Sequence, residues 1–270
     1  MKFKDKTIDL TSPTVMGILN VTPDSFFDGG KYKDELSIVT QVEKMLEDGA
    51  TFIDIGAYSS RPNAPHVSEE EEKQRLLPIV SLILKKFPET IISIDTFRAN
   101  VAKEAIAGGA ALINDISAGN LDSSMMETVG KLGVPYIMMH MQGTPKTMQQ
   151  NPTYDNVVKD IVKELSEKVA HARSHNIKDL IIDPGFGFAK NTAQNFELLS
   201  KLELLQFAQV PVLAGLSRKS MIYKTLETTP HEALNGTTAL HMVALQKGAS
   251  ILRVHDVKEA VECVKLFVEL

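Results

Sequence analysis

An alternation of strand-like and helix-like segments, repeated along the 270-residue chain, is the feature that most limits the possible folds. Each unit is a short apolar run, a polar or glycine-containing turn, and a helical pattern. The predicted strands are 14–19, 52–55, 91–94, 111–113, 136–139, 180–182, 212–213 and 251–252. The predicted helices are 36–48, 69–86, 98–107, 123–132, 154–174, 193–201, 231–247 and 257–270. This alternation predicts an α/β protein built as a single (β/α)8, or TIM, barrel.

The length favours one domain. A barrel of this kind usually occupies about 250 residues, and no linker, low-complexity segment or charge run divides the chain. Gly49, Gly108 and Gly248 each follow a predicted helix shortly before the next strand, as glycines at helix ends commonly do. We therefore expect one barrel domain over residues 1–270.

A doubly wound open sheet is the alternative fold, because it also alternates strands and helices. It usually carries Gly-x-Gly-x-x-Gly after its first strand. Here no glycine follows Asn20 until Gly29, and the later Gly185-Phe-Gly187 lacks the third glycine. The barrel is favoured.

Composition limits the partners and the compartment. The net charge of −5 argues against attraction to nucleic acid or to an anionic membrane. No apolar run approaches the roughly 18–20 residues of a membrane span, and the basic N-terminus lacks the apolar segment of a secretory signal. The single cysteine, Cys263, lies in an apolar helical pattern, which predicts a buried thiol and a reducing compartment. We expect a cytoplasmic protein with no nucleic-acid or membrane partner.

Polar residues follow the predicted strands, where barrel enzymes place their catalytic groups. These residues are Asn20, Asp54, Asp95, Asn114, His140, Asp183, Ser217, Lys219, Arg253 and His255. Asp and Asn also favour turns and helix caps, so each one alone has a structural explanation. The mixture of acids, amides and bases favours an active site, in which Asp54 is interpreted as the most structural member.

Three long segments between strands and helices, 20–35, 56–69 and 140–154, have the length of functional loops. They contain Lys31, Arg61 and Lys146, which suits loops that cover a charged ligand.

The charges indicate an anionic ligand with a flat ring. Arg61, Lys219, Arg253 and His255 suit a phosphate or pyrophosphate. Asp95, Asn114 and Asp183 suit the ring N–H and amino groups of an aminopyrimidinone. The spacing of His and Cys residues matches no transition-metal site, and no Walker A sequence occurs.

The same segments resemble the signatures of the dihydropteroate synthase family, in the family's order and over nearly the whole chain. The matching segments are Gly17-Ile-Leu-Asn20-Val-Thr-Pro-Asp24-Ser-Phe26-Phe-Asp28, Asp54-Ile-Gly56, Ser59-Ser60-Arg61-Pro62, Ser93-Ile-Asp95, Ile113-Asn114-Asp115-Ile-Ser117, His140-Met-Gln-Gly-Thr-Pro145, Asp183-Pro-Gly-Phe-Gly-Phe188, Gly215-Leu-Ser217-Arg-Lys219 and Arg253-Val-His255. The second loop departs from the commoner family pattern at Tyr58, Ser60 and Asn63, and Ser60 keeps a hydroxyl where threonine is usual.

The resemblance implies condensation of 4-aminobenzoate with 6-hydroxymethyl-7,8-dihydropterin pyrophosphate, giving 7,8-dihydropteroate and pyrophosphate in folate biosynthesis. It implies that Asp95, Asn114, Asp183 and Lys219 bind the pterin. It implies that Asn20, Arg253 and His255 bind the pyrophosphate, with Asn20 acting through Mg2+. The residues implied to contact 4-aminobenzoate or to form the covering loops are Asp24, Phe26, Asp28, Ser60, Arg61, Pro62, Phe188 and Ser217. The implied catalytic residues are Asp95, Lys219, Arg253 and His255.

Three other functions compete with this one. A pterin-binding methyltransferase domain would share the ring-binding acids but not the pyrophosphate site, and a non-catalytic pterin-binding paralogue would lack the loop residues. A phosphosugar lyase would usually carry its lysine inside a strand. Apolar positions on the last two helices could form a homodimer or cover the barrel, and covering the barrel is favoured. These positions are Leu240, Met242, Val243, Leu245, Val264, Phe267 and Val268.

Overall fold

The structure is a computed structural model that describes residues 1–3, 6–21, 31–58, 66–145, 147–148 and 153–270. A two-stranded antiparallel hairpin, β1 (Lys2–Phe3) and β2 (Lys6–Thr7), precedes a sheet of eight parallel strands. The eight strands are β3 (Thr14–Asn20), β4 (Phe52–Gly56), β5 (Ile91–Asp95), β6 (Leu112–Asp115), β7 (Tyr136–Met139), β8 (Leu180–Asp183), β9 (Leu213–Ala214) and β10 (Ile251–Val254).

The eight strands close into a barrel. Their neighbour order is β8-β7-β6-β5-β4-β3-β10-β9. The remaining seam, between β8 and β9, is bridged by Ile182 and Val212, and the Ile182 N–H donates to the Pro211 carbonyl at 3.0 Å. The predicted eight-stranded parallel barrel is confirmed.

Helices surround the strands. The α-helices of the described residues are α1 (Lys31–Glu47), α2 (Glu69–Lys86), α3 (Ala99–Ala107), α4 (Met125–Leu132), α5 (Val157–Ser174), α6 (Thr192–Ser200), α7 (Ser220–Thr225), α8 (Leu234–Gln246) and α9 (Val257–Phe267). Two 3-10 helices, Leu202–Ala208 and Pro230–Glu232, lie among them.

Two helix predictions need correction. Helix α1 begins at Lys31, not at residue 36, because its first turn is rich in charged residues and has no apolar stripe to reveal it. Lys31, predicted to lie in a loop, therefore belongs to the helix. The helix predicted over 231–247 is divided into the 3-10 turn Pro230–Glu232 and α8.

The barrel interior is apolar at the end where the strands begin. Its main side chains are Met16, Phe52, Ile91, Leu112, Ile137, Ile181, Leu213 and Ile251. Phe3 of the hairpin packs on this layer, with its ring centre 4.9 Å from that of Phe52. A larger apolar cluster fills the space between the strands and the helices.

Strand alternation decides which residues face the barrel mouth. Side chains two and four positions after an interior residue point to the same side of the strand. Positions two and four residues after the apolar layer therefore place polar side chains in the upper barrel interior, toward the carboxyl ends of the strands. They are Asn20, Asp54, Ser93, Asp95, Asn114, Asp183, Ser217, Arg253 and His255.

The apolar positions of the last two helices mostly cover the barrel. Leu245 is buried, and Leu240, Met242, Val243, Val264 and Phe267 pack against the main core. Val268 remains 58% exposed. Cys263 is a buried free thiol, as predicted. None of the helices in the described parts of the chain is long and apolar enough to cross a membrane.

A buried ion pair joins α2 to the loop after β5. The Glu72 carboxylate is fully buried and accepts hydrogen bonds from Thr96 Oγ1, at 2.6 Å, and from the Arg98 guanidinium. Arg98 also donates to the Val67 carbonyl at 2.7 Å. Burial raises the pKa of Glu72, while Thr96 and Arg98 lower it in part.

Replacing Arg98 tests this pair. Arg98→Met leaves the Glu72 charge buried without its cation, so we expect the free energy of unfolding to fall by about 3 kcal/mol near neutral pH. The loss of stability should grow as pH rises, because a carboxyl group whose pKa is raised in the folded state destabilises that state when it ionises. Urea unfolding between pH 5 and pH 8 measures both effects. Arg173→Met, at an exposed position of α5, is the control, and equal losses in the two variants would contradict the prediction.

Candidate active site

A guanidinium held between two carboxylates lies at the centre of the barrel mouth. Arg253 Nε donates to Asp54 Oδ2 at 2.6 Å, and Arg253 Nη2 donates to Asp95 Oδ2 at 2.8 Å. Asn114 Nδ2 donates to the same Asp54 oxygen at 3.0 Å. Arg253 lies on β10 and its partners lie on β4 and β5, so this contact crosses the barrel interior above β3.

The charged groups of this cluster shift one another's pKa values. Burial acts to lower the pKa of Arg253, but the Asp54 and Asp95 carboxylates outweigh it and hold the pKa above its ordinary value. Burial raises the pKa of Asp95, Arg253 opposes that change, and Asp54 adds to it. Asp54 is fully buried, and its Oδ1 atom has no hydrogen-bond partner among the described residues.

A second charged pair, Asp183 and Lys219, lies across the mouth. Asp183 ends β8, and its Oδ1 accepts a hydrogen bond from the Gly185 N–H at 2.7 Å. A Cβ atom built on Gly215 would lie 3.7 Å from Lys219 Nζ and 3.9 Å from Asp183 Oδ2. The Lys219 ammonium and the Asp183 carboxylate therefore both lie close to the backbone of Gly215, just after β9.

Lys219 is held by the loop that follows β8. Its Nζ donates to the Phe186 carbonyl and lies 4.8 Å from the centre of the Phe188 ring. Burial lowers the pKa of Lys219 to about 8, although Asp183 raises it in part. Burial likewise raises the pKa of Asp183, and Lys219 opposes that change. The pair is thus a buried acid and a half-buried base beside an aromatic ring.

The rim of the mouth carries His255, Ser217 and Asn20. His255 Nδ1 lies 3.1 Å from Ser217 Oγ, and the His255 backbone N–H donates to the same hydroxyl oxygen at 3.2 Å. The two bonds fix the imidazole ring against the loop after β9. Asn20 is the exposed last residue of β3, the strand that pairs with β10.

The predicted site residues are brought to one end of the barrel where the structure describes them. This group comprises Asn20, Asp95, Asn114, Asp183, Phe188, Ser217, Lys219, Arg253 and His255. Asp24, Phe26, Asp28, Ser60, Arg61, Pro62 and Lys146 lie outside the described residues.

Asp54 was named among the strand-end residues of the predicted active site and interpreted as its most structural member. The structure shows that it holds both Arg253 and Asn114. Lys190 was not anticipated. Lys190 is buried behind the loop after β8, and no sequence pattern marks it.

The described residues contain no group of three His, Cys, Asp or Glu side chains arranged to hold a metal ion. A protein-only metal cage is therefore absent from that part of the chain. Mg2+ commonly takes few protein ligands and completes its shell with phosphates and water. The amide oxygen of Asn20 is the type of hard ligand that such a site requires.

Comparison with known proteins relates this site to one family. A family model described as pterin binding enzyme matches residues 16–255. The dihydropteroate synthase of Escherichia coli K12 is 44% identical over 96% of this chain and 92% of its own. The dihydropteroate synthase of Haemophilus influenzae is 47% identical over 97% of this chain and 96% of its own. The crystal structure of the Yersinia pestis enzyme, solved as a sulfonamide drug complex, superposes with a TM-score of 0.93 at 42% identity, covering 100% of this chain and 98% of that one.

Asp54→Asn tests the central cluster. The change removes one of the two charges that compensate buried Arg253, so we expect the free energy of unfolding to fall by about 3 kcal/mol. Chemical denaturation measures it. Ser93→Ala is the matched control, since Ser93 pairs with Asp54 across β4 and β5 and its buried hydroxyl has no hydrogen-bond partner in the described chain. Losses of similar size in both variants would contradict the assigned role.

Proposed function

The chain belongs to the family of pterin-binding enzymes, and we propose that it acts as a dihydropteroate synthase through the residues described above. It is a transferase that joins 4-aminobenzoate to the pterin methylene of 6-hydroxymethyl-7,8-dihydropterin pyrophosphate, giving 7,8-dihydropteroate and releasing pyrophosphate. The observation that carries the proposal is that buried acids and cationic groups occupy one barrel mouth. The acids suit the ring of the first substrate, and the cations suit its leaving group.

The pterin ring would lie between the two charged clusters. The amino and ring N–H groups of a pterin are donors, and Asp183, Asp95 and the side-chain oxygen of Asn114 are acceptors. Lys219 is a donor and suits a ring nitrogen or carbonyl. Each of these side chains is already held by protein contacts, so little conformational freedom is lost on binding.

The pyrophosphate would lie at the rim. His255 is fixed through Nδ1 and its backbone, so its Nε2 suits an anionic oxygen. Arg253 uses two of its five N–H groups on Asp54 and Asp95. The remaining N–H groups suit the pyrophosphate oxygen nearest the ring, which would place this guanidinium between the pterin and its leaving group. Asn20 would hold Mg2+, which when bound neutralises charge on the pyrophosphate.

We infer a dissociative reaction. The amine of 4-aminobenzoate is weakly basic and neutral near pH 7, so no general base is required before attack. The slow step is cleavage of the bond between the pterin methylene carbon and the pyrophosphate oxygen. Arg253 and His255 stabilise the negative charge that accumulates on the leaving oxygen. Asp95 and Asp183 stabilise the positive charge left on the pterin.

The second substrate would enter beside Phe188 and Ser217. Both lie on the loops after β8 and β9, next to Lys219. We propose that six further loop residues exclude water from the pterin cation. They are Asp24, Phe26, Asp28, Ser60, Arg61 and Pro62.

Two further proposals concern the protein as a whole. We propose a cytoplasmic location, which the buried free thiol of Cys263 supports. We also propose a homodimer, supported by the exposed apolar side chains of Leu266, Val268 and Leu270 at the end of the chain.

The activity is tested with purified protein, 6-hydroxymethyl-7,8-dihydropterin pyrophosphate, 4-aminobenzoate and Mg2+. We expect equal amounts of 7,8-dihydropteroate and pyrophosphate, measured by chromatography and a coupled assay. Asp183→Asn should lower the rate about 100-fold, because it removes charge from the ring site. Pyrophosphate release without dihydropteroate would identify a hydrolase and reject the proposal.

The pKa of Lys219 gives a pH prediction. The ammonium loses its proton as pH rises through about 8, so pterin affinity should fall above that pH. Because the ammonium is the proposed binding form, its loss of a proton should make the slope of log affinity against pH more negative by about one unit above that pH. Calorimetry with 6-hydroxymethylpterin from pH 6 to pH 9.5 measures the slope. In Lys219→Arg, which stays charged, the slope above pH 8 should be shallower by about one, whereas exposed Lys178→Arg should keep the wild-type slope. Equal slopes in all three proteins would show that Lys219 is not the titrating group.

A further inference from the structure

The loop after β8 has an irregular backbone that carries several parts of the candidate site. Gly185, Gly187 and Ala189 have φ values of 70°, 79° and 48°, in the left-handed region. A Cβ atom built on Gly185 would lie 2.0 Å from the His140 carbonyl oxygen, so the loop packs tightly on the end of β7. Carbonyl groups in such a backbone need donors other than those of a helix or a sheet.

The same loop fixes the pair of Asp183 and Lys219. The Gly185 N–H bonds to Asp183, the Phe186 carbonyl accepts from Lys219, and the Phe188 ring lies beside the Lys219 ammonium. A shift of the loop would therefore move both members of the pair.

Lys190 holds this loop from behind. Its side chain is only 3% exposed, and its Nζ donates to the carbonyls of Gly185 and Phe188, each at 2.9 Å. The third partner is His140 Nδ1, at 3.0 Å. An ammonium has three N–H groups, so these acceptors use all of them.

The contact with Lys190 also assigns the tautomer of His140. Nδ1 accepts from Lys190, so the ring proton is on Nε2, which lies 3.3 Å from Glu164 Oε2 on α5. Burial lowers the pKa of His140, and the neutral ring is the form that accepts from Lys190. The His140 backbone N–H donates to the Asp183 carbonyl at 2.9 Å. His140 thus links β7, β8 and α5 at the base of the loop.

We propose that Lys190, supported by His140, is a positioning residue that holds the loop after β8 so that Asp183 and Lys219 meet the pterin ring. Lys190 touches neither the ring nor the leaving group; it acts through the carbonyls of Gly185 and Phe188. This inference rests on the proposed function, because it takes the ligand of Asp183 and Lys219 to be a pterin.

Electrostatics adds support to the geometry. Burial lowers the pKa of Lys190 to about 7, Asp183 and Glu164 raise it, and Lys219 lowers it. A neutral amine has only two N–H groups and would leave one of the three acceptors without a donor. The hydrogen bonds therefore favour the charged form, which is the form that completes the loop.

Lys190→Met provides the first test, because methionine keeps most of the buried apolar volume and removes every donor. We expect affinity for 6-hydroxymethylpterin to fall about 10- to 100-fold, as misplaced binding groups lose that much. Affinity for inorganic pyrophosphate with Mg2+ should stay within about twofold, because His255 follows β10 and Asn20 ends β3, and neither belongs to the loop after β8. Isothermal calorimetry measures both ligands. Lys178→Met, an exposed lysine at the opposite end of β8, is the matched control and should bind both ligands like the wild type.

The results separate the possibilities. Unchanged pterin affinity in Lys190→Met would overturn the inference, and so would an equal loss of pterin and pyrophosphate binding, which indicates general damage to the fold. If the wild type binds no pterin, the proposed function fails instead. If the wild type binds pterin and Lys190→Met binds it equally well, only the positioning role is lost.

His140 supplies a second test that does not depend on whether Lys190→Met folds. In His140→Gln the side-chain oxygen still accepts from Lys190, whereas in His140→Leu nothing accepts. We expect pterin affinity within about threefold of wild type for the first variant and about tenfold weaker for the second, since a buried donor is left unpaired. Equal affinities in the two variants would contradict the positioning role.

Discussion

The candidate site depends on a buried guanidinium that two carboxylates compensate. A charge at this depth costs several kcal/mol unless it is paired and hydrogen-bonded. Arg253 meets its partners across the barrel, from β10 to β4 and β5, although 199 and 158 residues separate it from Asp54 and Asp95 along the chain. The contact requires that β10 pairs with β3, which itself pairs with β4 beside β5. The fold and the charge arrangement therefore stabilise each other.

This arrangement separates the charges by depth. Asp54, Asn114 and Arg253 lie one step above the apolar layer, whereas His255 and Asn20 lie at the rim. A substrate with a flat polar ring and a charged tail matches that order, ring inward and tail outward. In the proposed reaction the deep acids would face the part of the substrate that becomes positive, and the rim would face the part that becomes negative. Selective stabilisation of both charges in the transition state would follow from the order of the layers.

The barrel was predictable because the alternation of a short apolar strand and a helical pattern is repeated eight times along the chain. The site was predictable to the extent that it lies at strand ends, as Asp95, Asp183 and Arg253 do. Asp54 was interpreted as a mainly structural residue because Ile55 and Gly56 follow it within the strand, before the loop begins. Lys190 was missed for a different reason: its importance comes from three acceptors brought together by an irregular loop, and local sequence spacing does not encode such contacts. The start of α1 was missed because charged residues at a helix end carry no apolar periodicity.

One departure of this chain from the commoner family pattern, Tyr58, can also be placed physically, whereas Ser60 and Asn63 lie outside the described residues. Tyr58 packs edge-on against Phe97, with ring centres 5.0 Å apart, and its ring lies 5.4 Å from the Arg98 guanidinium. Arg98 is itself held by Glu72. Tyr58 therefore joins the segment after β4 to the loop after β5, through Phe97 and Arg98, and Arg98 in turn connects that loop to Glu72 of α2. The contacts of this substitution are with residues that anchor the loop, and none of them is a residue assigned to the pterin or the pyrophosphate.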